Sequence, residues 1–244
     1  MKPIKRLGIV CALTLEAKGI IERLSLVEQE KPESDLPIRF FTGISRGVEI
    51  GLHLAGMDPR YQVDNIGSNG AVLSTYLLID KFKPDLLLNP GTAGGFREKK
   101  AEIGDVYVGQ NEVRFHDRRT PVKKYQHYCR GHYPVHPAPQ MIRELGLKQG
   151  IVSSGNSFDW VEVDYQQLIQ NGADLKDMEA AAIGWVSWQK QIPFIPIKAV
   201  TDFIEEVHTV EEQFNRNWKL ACLNLSQSVE EIIAYLSDRE LNDL

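Results

Sequence analysis

Apolar residues fall along this chain in short runs, at residues 7–12, 38–42, 48–54, 85–89, 105–108, 150–154 and 194–200. Several runs are apolar at successive positions and do not alternate, the pattern of strands covered on both faces. They predict a central sheet. Between them the period becomes helical. Leu13, Ala17, Ile20, Ile21 and Leu24 follow the i, i+4, i+7, i+8, i+11 spacing, which predicts an amphipathic helix over about residues 14–25. Residues 64–82 read as a second helix and 177–190 as a third, with Met178, Ala181, Ala182, Trp185 and Trp188 on one stripe. The C-terminal helix has the clearest pattern: Phe214, Trp218, Ala221, Cys222, Leu225, Val229, Ile232, Ile233 and Leu236 keep one face over about six turns. It is expected along the sheet edge. Strands alternating with helices predict an α/β fold, a three-layer α/β/α sandwich around a central mixed sheet, in a single domain over residues 1–244. Residues 116–139 form the longest stretch without periodicity, a loop of the kind that often carries function.

Composition narrows the classes. The 244 residues, 43% hydrophobic and 25% charged, lie in the ordinary globular range, which excludes a disordered or collagen-like polymer. A net charge of −5 gives no electrostatic reason to expect nucleic acid or an anionic membrane as partner, because both need clustered positive charge. No stretch approaches the ~18 consecutive apolar residues of a membrane span. Cys11, Cys129 and Cys222 lack CxxC spacing, so neither a disulfide framework nor a thiolate zinc site is expected. The chain reads as cytoplasmic, without metal or organic cofactor, and its partner as a small molecule.

In open α/β sheets ligands collect at the carboxyl ends of strands. Glu16 follows the first run by one short turn, residues 89–95 (Asn-Pro-Gly-Thr-Ala-Gly-Gly) follow the fourth, and Thr201-Asp202 follow the last. Glu179, near a helix start, adds a third carboxylate. Singly, each has an ordinary structural use. A carboxylate in a helix's first turn favours the dipole, Asp202 could be a turn residue, and the glycine stretch lacks both GxGxxG spacing and the Lys-Ser/Thr of a P-loop.

The combination says more. Residues 7–16 (LGIVCALTLE), 89–95 (NPGTAGG), 115–117 (FHD), 154–158 (SGNSF), 177–180 (DMEA) and 198–202 (KAVTD), in this order, resemble the purine nucleoside phosphorylase/uridine phosphorylase superfamily. Within it they are most similar to the plant-type branch of 5′-methylthioadenosine/S-adenosylhomocysteine nucleosidases. The resemblance implies hydrolysis of the N-ribosidic bond of 5′-methylthioadenosine to adenine and 5-methylthioribose, with S-adenosylhomocysteine as a further candidate substrate. It also implies a homodimer. Asp202 would protonate adenine N7, Glu16 would hold and activate water, and Glu179 would bind the ribose hydroxyls. Met178 would pack on the sugar, Phe158 stack on adenine, and the Asp159 backbone meet the base edge. Thr92, Ala93 and Gly94 from the glycine-rich stretch are further substrate-binding candidates. Thr201 would orient Asp202, Lys198 would stand near the water, and Leu13 and Phe214 would border the 5′ substituent. Phe115, His116 and Pro121 are the expected residues of a loop reaching into the partner's site.

Three alternatives share the fold: a phosphorylase, a nucleoside-binding or storage protein without activity, and a nucleosidase acting on another adenine nucleoside. Phosphorylases set arginines around phosphate, whereas Glu16 and Asn89 occupy the matching positions here, and Arg97 is read as a surface residue. All three carboxylates are kept, which favours an enzyme. Asn156 departs from the family's aspartate at that place and puts a donor where an acceptor is usual.

Overall fold

The structure is a computed structural model in which residues 3–30 and 35–244 are described. In chain order the elements are β1 (Arg6–Cys11), α1 (Thr14–Arg23), β2 (Val27–Glu28), β3 (Arg39–Ser45), β4 (Val48–Leu54), α2 (Ser68–Phe82), β5 (Leu86–Gly95) and β6 (Val106–Gly109). There follow β7 (Glu112–Phe115), α3 (Gln126–Arg130), β8 (Tyr133–Pro134), α4 (Pro139–Leu145), β9 (Lys148–Gly150), β10 (Val152–Ser154) and α5 (Glu162–Gln170). The chain closes with β11 (Leu175–Asp177), α6 (Ala180–Lys190), β12 (Phe194–Phe203) and α7 (Val210–Leu236). No helix among the described residues is long and apolar enough to cross a membrane.

The sheet is mixed and covered on both faces. Leu7, Ile9 and Cys11 of β1 join Leu86 and Leu88 of β5 and Ile195 and Ile197 of β12 in one core with α1 and α7. The intervening Val10, Leu87, Phe194 and Val200 join a second core with α2 and α6. Side chains on a strand alternate between faces, so covering both faces turns each central strand into an unbroken apolar run. That is the pattern of the sequence.

The sheet forks at β5. On one edge β5 pairs in parallel with β12 from Leu87 to Gly95, and β12 leads on to β6 and β9. Its other edge is shared: β1 takes Leu86–Leu88 and β11 takes Gly94 and Gly95 in antiparallel sense. Among the described residues no strand covers that edge between them. The gap opens the floor of the site.

Several boundaries differ from expectation. The glycine-rich stretch and Thr201-Asp202 lie on β5 and β12 and not in turns after them, because each strand keeps one paired edge to its end. The run 150–154 splits into β9 and β10, and β11 takes Asp177, the first residue of the expected third helix. That helix starts at Ala180, so Met178 is off its stripe, and Trp188 is exposed. The second helix starts at Ser68, since Gly67 holds a left-handed φ of 81° ahead of it. Helix α7 packs across β12, β5 and β6 in mid-sheet and not at the edge, with α1 beside it.

Packing of α7 predicts a contrast. Leu225 is fully buried and Leu223 is half exposed. Leu225→Ala should lower stability by about 3 kcal/mol, through lost burial and the cavity left behind. Leu223→Ala should stay within about 0.5 kcal/mol of wild type. Urea denaturation would separate the two, and equal losses would contradict this packing.

Candidate active site

A cavity of about 860 Å³ opens at the gap in the sheet. Glu16, Glu179 and Asp202 all line it, with Leu13, Thr92, Ala93, Gly94, Phe158, Asp159, Met178, Thr201 and Phe214. Residues far apart in sequence thus meet on one surface.

Glu16 reaches the open edge of β5. Its Oε1 accepts hydrogen bonds from the Thr92 backbone N–H at 2.6 Å and the Thr92 hydroxyl at 2.8 Å. Its Oε2 accepts from the Leu13 N–H at 3.1 Å. The Thr92 N–H, left without a strand partner by the fork, is therefore satisfied by the carboxylate. Burial raises the pKa of Glu16, while Lys198 and these donors pull it back.

Glu179 stands just before α6 with φ −130° and ψ −33°, outside the helix. The helix is capped instead by Asp177, whose Oδ2 accepts from the N–H groups of Glu179 and Ala180 at 3.3 and 2.9 Å. That frees the Glu179 carboxylate, which accepts from the Gly67 N–H at 2.8 Å. Burial first, and then the charge of Asp177, push its pKa up to about 7.

Lys198 lies beneath the lining, 1% exposed, with its Nζ 2.8 Å from Asp177 Oδ2. Burial works against its charge, but Asp177, Glu179 and Glu16 outweigh that and raise its pKa. It stays an ammonium. A Cβ at Gly91 would come within 3.0 Å of this Nζ and 3.4 Å of Glu16 Oε1, so glycine makes room for the pair.

Asp202 sits farther along the groove, its Oδ1 bonded to the Thr201 hydroxyl at 2.7 Å. Burial raises its pKa, and Thr201 and Lys176 oppose the rise. A Cβ at Gly94 would meet its Oδ2 at 2.8 Å. Gly91 and Gly94 are three strand residues apart, which sets Glu16 and Asp202 on the order of 10 Å from one another.

Phe158 is 66% exposed and projects into the cavity, so it is no core residue. Its backbone is nonetheless fixed: Lys176 Nζ donates to the carbonyls of Ser157 and Phe158 at 2.8 and 2.9 Å, and Trp160 Nε1 to Ile204 O at 2.8 Å. An exposed ring on an anchored loop is poised for stacking.

Phe115 and His116, expected on a loop reaching into a partner's site, are instead buried within this chain, and neither lines the cavity. Phe115, 1% exposed, packs in the core edge-on to Tyr133. His116 is buried against Gly155, and burial lowers its pKa to about 4. Phe115 ends β7 and His116 directly follows it, both buried, and only Pro121 of that trio is exposed. Arg97 is a surface residue, stacked on Phe203 and paired with Glu206. Sequence reasoning overlooked Lys176 and Asp177, although Asp177 opens the 177–180 motif and Lys176 directly precedes it. Among the described residues no cluster of three or more His, Cys, Asp or Glu is arranged to hold a metal ion.

The chain matches the profile of the phosphorylase superfamily over residues 6–234. It is 36% identical to a 5′-methylthioadenosine/S-adenosylhomocysteine nucleosidase of Arabidopsis thaliana, over 100% of this chain and 96% of the relative. It is 33% identical to a 5′-methylthioadenosine nucleosidase of the same plant, over 100% and 92% respectively. The structure of an Arabidopsis thaliana 5′-methylthioadenosine nucleosidase in apo form superposes with a TM-score of 0.97, at 33% identity and full coverage of both chains.

The raised pKa of Glu179 has a consequence for stability. A carboxyl group near 4.5 when unfolded and about 7 when folded removes stability as pH rises between those values, about 3 kcal/mol in all. Glu179→Gln escapes this cost and still accepts from Gly67. Its melting temperature should exceed that of wild type at pH 8, with the gain vanishing towards pH 4.5. A gain of equal size at both pH values would contradict the assignment.

Proposed function

The chain belongs to the phosphorylase superfamily, in the group of methylthioadenosine nucleosidases, and from that premise we propose that it is a hydrolase of the N-ribosidic bond of 5′-methylthioadenosine. The observation that carries hydrolysis over phosphorolysis is the charge of the cavity. Glu16, Asp159, Asp177, Glu179, Asp202 and Glu211 line it against the single lysine Lys176, and no arginine among the described residues does. Lys176 is spent on two carbonyls and Lys198 on Asp177. A phosphate dianion would meet net negative charge and no guanidinium fork. Water meets no such barrier.

Adenine departs when a proton reaches N7, which draws electrons out of the bond between the ribose and the base. Asp202 supplies that proton, its raised pKa keeping a larger protonated fraction near neutrality than an ordinary aspartate has. The ribose ring becomes oxocarbenium-like as the bond stretches. Glu179 holds the ribose hydroxyls, and the surrounding carboxylates stabilise the developing cation more than the neutral substrate. A water bonded to Glu16 attacks the opposite face of the ring and passes a proton to that carboxylate. The arrangement parallels inverting glycosidases, whose carboxyl groups stand about 6.5–9.5 Å apart to admit water. Phe158 stacks on the base and Met178 on the sugar.

Leu13, Ile66, Val210 and Phe214 contribute apolar lining to the cavity, suited to a methylthio group. S-adenosylhomocysteine is the second candidate substrate. The products, adenine and 5-methylthioribose, fit a place in methionine salvage, in the cytoplasm. The functional unit is a homodimer: α2 and α6 pack side by side yet leave Leu73, Tyr76 and Trp188 in solvent, and Pro121, Val122 and Tyr125 are exposed as well. An apolar surface of that kind suits an isologous contact.

Adenine release in phosphate-free buffer tests the reaction; turnover only with added phosphate would select a phosphorylase instead. Asp202→Asn should lower turnover at least ~100-fold with the fold intact, as loss of a general acid does. Glu16→Gln should act comparably through the water. Near-normal activity of either would remove its assigned role. Light scattering should give twice the 27.6 kDa chain mass, and a monomer would exclude the dimer.

A further inference from the structure

Between β4 and α2, residues 64–68 touch three parts of the site. Asp64 accepts from the N–H and hydroxyl of Thr14, at the start of the helix that carries Glu16, at 3.1 and 2.7 Å. The Gly67 N–H holds Glu179. The next residue, Ser68, donates both its N–H and its hydroxyl to Asn156 Oδ1, at 3.0 and 2.7 Å. Gly67 packs against the same oxygen, since a Cβ there would lie 3.1 Å from it.

Asn156 is held in turn from outside the cavity. Asp117 Oδ2 accepts from the Asn156 backbone N–H at 2.8 Å and from its Nδ2 at 2.9 Å. Asp117 Oδ1 is buried with no hydrogen-bond partner among the described residues, and Oδ2 is engaged by Asn156. Every hydrogen-bonding end of the Asn156 side chain is thereby in use: the amide group on Asp117, the carbonyl oxygen on Ser68.

We propose that Asp117 and Asn156 are a positioning pair, which fixes residues 67–68 and through the Gly67 N–H sets where the Glu179 carboxylate meets the ribose. The inference rests on Glu179 as the ribose-binding group, the reading given above. The amide at position 156 is required by the carboxylate at 117. An aspartate there would keep the acceptor for Ser68 but set a second carboxylate about 2.9 Å from Asp117, the distance the amide now spans. Like charges so close repel even though Asn156 is exposed and solvent reaches the pair. The loop must then move or take up a proton, and residues 67–68 go with it.

Steady-state kinetics on 5′-methylthioadenosine and its 3′-deoxy analogue test this. Wild type should favour the ribo substrate by about 100-fold in kcat/KM, the scale of a hydrogen bond to a charged group. Asn156→Asp should lose about 30-fold on the ribo substrate, as small displacements of positioning groups do. It should lose little on the deoxy analogue, so that discrimination collapses to a few-fold. The exchange Asp117→Asn with Asn156→Asp restores one amide facing one carboxylate, and should recover discrimination to within about threefold of wild type.

A wild type that cleaves and discriminates, beside an Asn156→Asp variant that discriminates equally well, would overturn the inference alone. So would a double exchange no better than the single change while melting like wild type. A wild type that cleaves neither compound would remove the reading of the site and this inference together.

Discussion

The Lys198 ammonium is the interaction on which the site depends. Glu16, Asp177 and Glu179 are all buried, and each raises the pKa of this one cation. Three buried carboxylates close together cannot all ionise without a counter-charge. Lys198 meets that need from below the cavity floor, bonded to Asp177, which also caps α6. Its strand is central in the sheet and its side chain is almost fully enclosed. The cation is thus fixed where a mobile surface lysine could not serve.

The second constraint is the fork at β5. Closing both edges of this strand along its length would have satisfied its backbone and left no room for a ligand. With β1 on one part of the edge and β11 on another, the backbone between them faces open space. The Thr92 N–H then finds its partner in Glu16, and one group satisfies the sheet while presenting a carboxylate to the cavity. Each acidic group is held by a different part of the chain: Glu16 by β5, Glu179 by the approach to α2, and Asp202 by its neighbour Thr201. Geometry of this kind is set by the whole fold.

These arrangements oppose stability. A carboxyl group pushed up to about 7 and an orphaned oxygen on Asp117 are features that packing for stability alone would remove. Two cores, one on each face of the sheet, offset them, and the apolar face of α7 supplies much of the first.

The apolar runs of β1, β4, β5 and β12 and the stripe of α7 were legible in the sequence, because covering both faces of a strand or one face of a helix imposes a period that needs no partner to read. Glu16, Glu179 and Asp202 could be named from short motifs around strand ends. Strands as short as β11 were not legible, since three residues carry no period and their pairing comes from a distant strand. The stripe of α7 likewise showed which face is buried and not against what, so its place at mid-sheet was missed. Phe115 reads equally well as a loop residue or a core one, and the turn of β7 decides for the core. Lys198 was legible as a motif residue, but its role as the shared counter-ion was not. The sequence by itself determined which residues are buried and which acids are available, for those follow from local spacing and residue type. Only the tertiary structure decided which acids share a cation, which backbone donor each one holds, and where the sheet opens, because all three depend on contacts between residues up to 182 positions apart.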